Sequence, residues 1–141
     1  MTAIDVGAVV PPLERRFDRA DMVAYAGATW DWHRLHHDES YLAEKQLPAP
    51  VVDGQLFGAL LAEQLQDWLG PACFVTRLWF RFASLVFAGE TVRCEATVTA
   101  VDGDRVTVSS RVVVPATAER PERVAVTAAG AEIRLAAPGT W

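Results

Sequence analysis

Apolar and polar positions change their period once along the chain, near Pro71, and the change separates a helical half from a stranded half. From Asp18 to Thr29, the residues Met22, Tyr25, Ala26 and Thr29 recur at the spacing that puts them on one face of a helix, with Asp18 as its N-cap. That helix is expected to stop near Trp30. Asp38 reads as the cap of a short second helix running to Gln46, where Leu47-Pro48-Ala49-Pro50 breaks it. Gly54 to Leu69 is the most apolar helical segment. Phe57, Leu61, Leu65 and Trp68 or Leu69 follow one side, and Leu56, Ala59 and Leu60 widen the stripe, so this helix must be largely buried. Asp53 is placed to cap its first turn, and Gly70-Pro71 ends it.

Beyond Pro71 the period is two: Phe74, Thr76, Leu78, Phe80 and Phe82 alternate with Val75, Arg77, Trp79 and Arg81, as in a strand with two different faces. Thr91 to Val101 and Arg105 to Val114 flank Asp102-Gly103, a hairpin signal, and Arg123 to Leu135 forms a last strand after a Pro/Ala-rich loop. Helices followed by antiparallel strands make an α+β chain, and the economical packing is a curved antiparallel sheet wrapped around one long buried helix.

Composition narrows the class. A chain of 141 residues, 51% of them hydrophobic, is the size of one domain, taken here as residues 1–141. A net charge of -5 without any basic run argues against nucleic acid as a general partner. No segment approaches the roughly 20 apolar residues that cross a bilayer, and Met1 to Pro12 carries no basic start followed by an apolar run. Cys73 and Cys94 lack the spacing of a metal knuckle and read as buried thiols. No membrane and a cytoplasmic location are the expectations.

The chemistry is concentrated between Tyr25 and Asp38, in Tyr-Ala-Gly-Ala-Thr-Trp-Asp-Trp-His-Arg-Leu-His-His-Asp, where two carboxylates and three imidazoles share one loop. Adding water to an enoyl thioester needs such groups: one takes a proton from water, one delivers a proton to the α-carbon, and a donor holds the developing enolate oxygen. Histidine titrates near neutrality and an aspartate can orient its ring, so an Asp/His pair is an adequate acid/base unit. Asp31, His33, His36, His37 and Asp38 are also the residue types that bind zinc, although no distant Cys or His completes a recognisable set.

Asp31-x-x-x-x-His36, preceded by Tyr25-Ala26 and followed by Asp38, resembles the hydratase 2 motif of MaoC-like acyl dehydratases. Val51-Val52-Asp53-Gly54 is similar to the family's turn into its central helix, and Arg81 to Val92 to its strand and glycine-before-acid turn. The pattern covers about Phe17 to Leu135. The resemblance implies a hot-dog fold, a dimer whose sheets join, and a thioester tunnel bounded by both subunits. It also implies hydration of a 2-enoyl thioester, or the reverse dehydration, with no cofactor or metal and with coenzyme A or an acyl carrier protein as part of the substrate. Asp31 and His36 match the family's catalytic pair. Gly54 matches the position whose backbone N–H faces the thioester oxygen, and His33, Asp53, Trp32 and Tyr25 are the further substrate-binding candidates. Arg34, Arg77 and Arg81 are candidates for a phosphate-bearing handle.

A narrower likeness runs through Leu35-His36-His37-Asp38 and Asp67-Trp68-Leu69-Gly70-Pro71 to the small catalytic subunit of actinobacterial steroid side-chain hydratases. It implies a bulky acyl chain and a second, different hot-dog subunit in place of a homodimer. Four positions depart from the family pattern: Trp30 replaces glycine, His33 asparagine, Arg34 proline and Asp53 histidine. An anionic Asp53 beside a developing enolate would oppose catalysis unless it points away as a cap. The competing functions are a hot-dog thioesterase that recruits Asp31, Asp38 or Asp53, and a non-catalytic partner subunit that shapes another protein's acyl tunnel.

Overall fold

The computed structural model describes residues 4–136, so Met1 to Ala3 of the N-terminal stretch considered above lie outside the described residues. The elements are β1 (Val9–Arg16), α1 (Arg19–Thr29), α2 (Glu39–Glu44), α3 (Gly54–Leu69), β2 (Cys73–Phe82), β3 (Thr91–Asp102), β4 (Arg105–Val114) and β5 (Arg123–Leu135), with a single 3-10 turn at Arg34–His36 before α2. Five strands make one sheet in the order β1-β3-β4-β5-β2, every neighbouring pair antiparallel. β3 and β4 alternate buried and outward residues as the period-two pattern requires. Their two-residue connection puts Gly103 at φ +59, a conformation that glycine adopts without a side-chain clash.

The sheet encloses α3, which gives the hot-dog arrangement. Leu56, Phe57, Leu60 and Leu61 pack against Val92, Cys94, Val112, Ala125 and Val126, while Leu65 joins Val98, Val106, Val108 and Ile133 further along. Two stripe positions differ from expectation: Ala59 of α3 and Thr29 of α1 are exposed. Thr29 instead donates its hydroxyl to the Tyr25 carbonyl at 2.9 Å. α2 ends at Glu44 rather than Gln46, whose φ of +56 is not helical.

β1 was not foreseen, because Pro11-Pro12 argues against a strand. Its place explains the tolerance: β1 is an edge strand, where a missing N–H leaves no ladder bond unmade, and its pairing with β3 slips between Val10 and Leu13. The irregularity is closed from within the core. Gln64 of α3, 2% exposed, donates its amide to the Pro11 carbonyl at 2.9 Å and to the Cys94 carbonyl at 3.1 Å, tying the helix to both strands. Cys73 and Cys94 are buried free thiols, and burial pushes the Cys94 thiol up to about 12.

The turn before β3 is held by Glu90. Its carboxylate accepts from the Phe87 N–H at 2.9 Å and from Arg123, which also donates to the Leu85 carbonyl at 3.1 Å. Arg120 approaches from outside at 3.7 Å. Burial by itself would raise the Glu90 carboxyl, but these hydrogen bonds and charges outweigh it and leave it below its ordinary value.

Two outcomes follow from these contacts. Gln64→Leu, which strands the buried Cys94 carbonyl and frees the part-buried Pro11 carbonyl, should cost about 1–3 kcal/mol in urea unfolding; a loss under roughly 0.5 kcal/mol would remove Gln64 from its bridging role. For Glu90, a folded-state value below the unfolded one means stabilisation present above the ordinary glutamate range and lost as pH falls through the folded value. Glu90→Gln should therefore unfold earlier than wild type at pH 7, with the gap closing in acid. A gap that stays constant down to about pH 3 contradicts this.

Candidate active site

The loop after α1 is built from side chains that bond their own backbone. Trp30 ends α1 at φ +63, the left-handed region that suits glycine, and its ring stands 80% exposed, edge-on to Trp32 at 6.1 Å. A side chain there costs roughly 1–2 kcal/mol. Asp31 Oδ1 accepts from the His33 N–H at 3.2 Å, and His33 Nδ1 accepts from the Leu35 N–H at 3.1 Å, which starts the 3-10 turn. Asp38 then caps α2: Oδ1 accepts from the Ser40 hydroxyl (2.6 Å) and the Tyr41 N–H (3.1 Å), and Oδ2 from Arg34 Nε (2.7 Å). The Ser40 hydroxyl first, then Arg34 and the Tyr41 N–H, hold its carboxyl well below the usual carboxylate range.

His36 is oriented differently. Its Nδ1 lies 2.7 Å from the Val51 carbonyl, which can only accept, so the neutral ring carries its proton on Nδ1 and keeps the Nε2 lone pair. The Val51 N–H in turn donates to the Leu35 carbonyl at 3.0 Å, stitching the loop to the segment that leads into α3. That segment delivers Asp53, 6% exposed, as the N-cap of α3: Oδ1 accepts from the Gln55 N–H at 2.9 Å. Asp53 Oδ2 is buried with no hydrogen-bond partner. One ligand atom each from Asp31, His36 and Asp53 lie within 4.8 Å of one another.

The trio offers one imidazole nitrogen and two carboxylate oxygens close enough together to share one small guest, a water or a cation. The larger zinc set considered from sequence is not assembled: His33 caps the 3-10 turn, His37 Nε2 faces the Trp32 carbonyl at 3.2 Å, and Asp38 is taken up by its own donors.

Gly54, the first residue of α3, follows directly. Its backbone N–H has no hydrogen-bond partner among the described residues, and it sits at the positive end of the helix dipole. Gly54 and His36 share an apolar cavity of about 310 Å³ with Val51, Val52, Phe57, Phe82 and Leu85. The loop carrying Leu85 and Val86 is held over this cavity by the Glu90–Arg123 pair and by the Val52 N–H, which donates to the Val86 carbonyl at 2.8 Å. A larger groove of about 720 Å³ crosses the sheet by Arg93, Glu95 and Arg111, but these charges pair with each other.

Of the residues singled out from sequence, Asp31, His36, Asp53 and Gly54 therefore come together. Tyr25 lies behind them, half-buried, its hydroxyl pushed up by burial and then by the nearby Asp53 charge. Trp32 is 45% exposed against Trp30 and His37 and does not line the cavity. His33 turns toward Tyr41, with its ring 6.1 Å from that of His36. Arg34 and Arg77 are paired with Asp38 and Glu132, and Arg81 has no ion-pair partner among the described residues. Phe82 and Leu85 were missed as site residues; their only signal was an apolar side chain at the end of a strand and in the loop after it.

Comparison with known proteins places this geometry. Residues 5–120 match the family model described as MaoC like domain. The beta subunit of 3-oxo-4,17-pregnadiene-20-carboxyl-CoA hydratase from Mycobacterium tuberculosis is 30% identical over 103 residues, 73% of this chain and 80% of that protein. An (R)-specific enoyl-CoA hydratase from Aeromonas caviae is 32% identical over 97 residues, 66% of this chain and 70% of that protein. A chain of the solved ChsH1-ChsH2 complex from Mycobacterium tuberculosis superposes with a TM-score of 0.78 at 28% identity, covering 96% of this chain and 100% of that one. With an Asp/His pair at the amide end of an enclosed helix and a family match over most of its length, the chain belongs to the MaoC-like dehydratase family.

Proposed function

We propose that the chain hydrates 2-enoyl-CoA to 3-hydroxyacyl-CoA, or runs the reverse dehydration, with Asp31 and His36 as its acid/base pair. The observation that carries the reading is the pinned ring of His36, whose Nδ1–H on the Val51 carbonyl leaves Nε2 free to accept a proton, with one ring nitrogen and one oxygen each of Asp31 and Asp53 within 4.8 Å of one another. A water donating one hydrogen to Asp31 and the other to His36 Nε2 would aim an oxygen lone pair at the β-carbon of an acyl group in the cavity. As the C–O bond forms, the water's proton passes to the pair and the thioester oxygen gains charge, which the Gly54 N–H receives. The pair then returns a proton to the α-carbon. Water is added across the double bond and the pair ends as it began, with no cofactor or metal consumed.

Coenzyme A, or an acyl carrier protein, is the handle of the substrate in this reading. A bulky acyl chain is suggested by the steroid-CoA relative and by the apolar cavity wall. A second hot-dog subunit would add to the outer edge of β2, which among the described residues pairs with β5 alone. The heteromeric Mycobacterium tuberculosis complex supports such an assembly, with a homodimer as the other form. Two free buried thiols suit a reducing cytoplasm, and no helix among the described residues is long and apolar enough to cross a membrane.

The reaction is followed as loss of enoyl absorbance with crotonyl-CoA and bulkier 2-enoyl-CoAs. Asp31→Asn and His36→Ala should each lower kcat/KM by roughly 10²- to 10⁴-fold. Equal turnover by wild type and both variants would dismiss the pair. Release of free thiol in place of enoyl loss would make the chain a thioesterase.

A further inference from the structure

The cavity has two kinds of wall. Val52, Phe57 and Val86 are 3%, 3% and 1% exposed and belong to the central core, so they cannot retreat without repacking it. Phe82, which also lines the cavity, is 60% exposed and outside that core. Its backbone is fixed: it pairs with Val126 as the last residue of β2, and the next N–H, that of Ala83, donates to the Ala125 carbonyl at 2.9 Å. The pairing of β2 with β5 slips between Trp79 and Arg81, an irregularity of the kind that re-aims side chains beside functional sites.

The aim of Phe82 is specific. Its ring lies so close over Gly54 that a methyl group on that residue would collide with Cζ. One helical turn further, a methyl group on Gly58 would fall 2.7 Å from the Phe80 ring, and the two phenylalanines meet edge-on at 5.7 Å. Two glycines spaced by four on α3 thus form a shallow groove that two rings of β2 fill. Phe80 is half-buried against the core, whereas Phe82 is held only by its neighbour and by the groove.

We propose that Phe82 is the specificity-determining gate of this site, its ring setting the width of acyl group admitted beside Gly54. The proposal rests on the acyl-thioester reading of the cavity and goes further, assigning its selectivity to one side chain. An acyl group whose carbonyl reaches the Gly54 N–H must pass its α- and β-carbons between His36 and this ring. Width at those carbons is therefore restricted, and length beyond them is not. A side-chain rotation about a fixed backbone opens the gap, with no change in the sheet.

Saturated acyl-CoAs separate this from catalysis, since they have no double bond to hydrate. Butyryl-CoA is narrow and short, decanoyl-CoA narrow and long, and cyclohexanecarbonyl-CoA wide at the α-carbon. Binding of each to the full chain would be measured calorimetrically for wild type, Phe82→Ala and Phe82→Leu. The expected result is at least a tenfold gain for cyclohexanecarbonyl-CoA relative to butyryl-CoA in Phe82→Ala, a smaller gain in Phe82→Leu, and no relative gain for decanoyl-CoA. Phe82→Trp should shift the ratio the other way, so the test survives a variant that fails to fold. An unchanged ratio, or an equal gain for all three ligands, overturns the gate while hydration of crotonyl-CoA by wild type would leave the hydratase reading standing. Failure of wild type to bind any of the three overturns the gate, and overturns the hydratase reading as well only if crotonyl-CoA and the bulkier 2-enoyl-CoAs are also left unhydrated.

Discussion

A sixteen-residue helix with apolar side chains around most of its surface has to be enclosed, yet the amide groups at its start have to find partners. These demands meet at Asp53 and Gly54. The sheet covers Leu56, Phe57, Leu60, Leu61 and Leu65, and the helix start is left facing the loop from Trp30 to Asp38. Asp53 takes the Gln55 N–H, while Gly54, its N–H unpartnered among the described residues, lines a cavity where apolar walls and His36 adjoin. Burying the helix therefore produces the site as a by-product of the core: an apolar cavity, a backbone donor with a favourable dipole, and a crossing loop pinned by the Val51 and Leu35 carbonyls.

Local patterns carry much of this arrangement. The 3.6-residue stripe of Gly54 to Leu69 with Asp53 before it and Gly70 after it, and the Asp102-Gly103 hairpin between β3 and β4, are properties of adjacent residues and were legible as such. β1 was not, because two prolines speak against a strand when read alone. Only a partner 53 residues away, Gln64 on the Pro11 carbonyl, and an edge position make them acceptable. The same limit hid Phe82 and Leu85. Nothing in an alternating strand says which end lies over a helix N-terminus, or that a register slip will turn a ring onto a glycine.

The four departures from the family pattern are accommodated by different means. Trp30 takes the left-handed backbone that glycine would take freely, and its exposed ring touches nothing but Trp32 among the described aromatic residues. Arg34 and His33 are absorbed into local structure, one bonded to Asp38 and the other capping the 3-10 turn, so neither competes for the space between Asp31 and His36. These three substitutions alter the loop's own bonding and leave the convergence of the pair intact.

Asp53 is the departure that reaches the chemistry. Its two oxygens do different things. Oδ1 is occupied as a cap, which an asparagine, serine or threonine would do as well. Oδ2 is buried without a donor among the described residues, and one Asp53 oxygen lies within 4.8 Å of ligand atoms of Asp31 and His36. A buried, unpartnered carboxylate oxygen is costly, and a cap alone does not require it. The expectation that Asp53 would be harmless only by pointing away is met in part: Oδ1 serves as the cap, while the residue stays beside the pair. An Asp53 carboxylate next in sequence to Gly54 works against charge collecting at the Gly54 N–H unless its unpartnered oxygen finds a donor when the site is filled, so this departure is the one that bears on the proposed enolate.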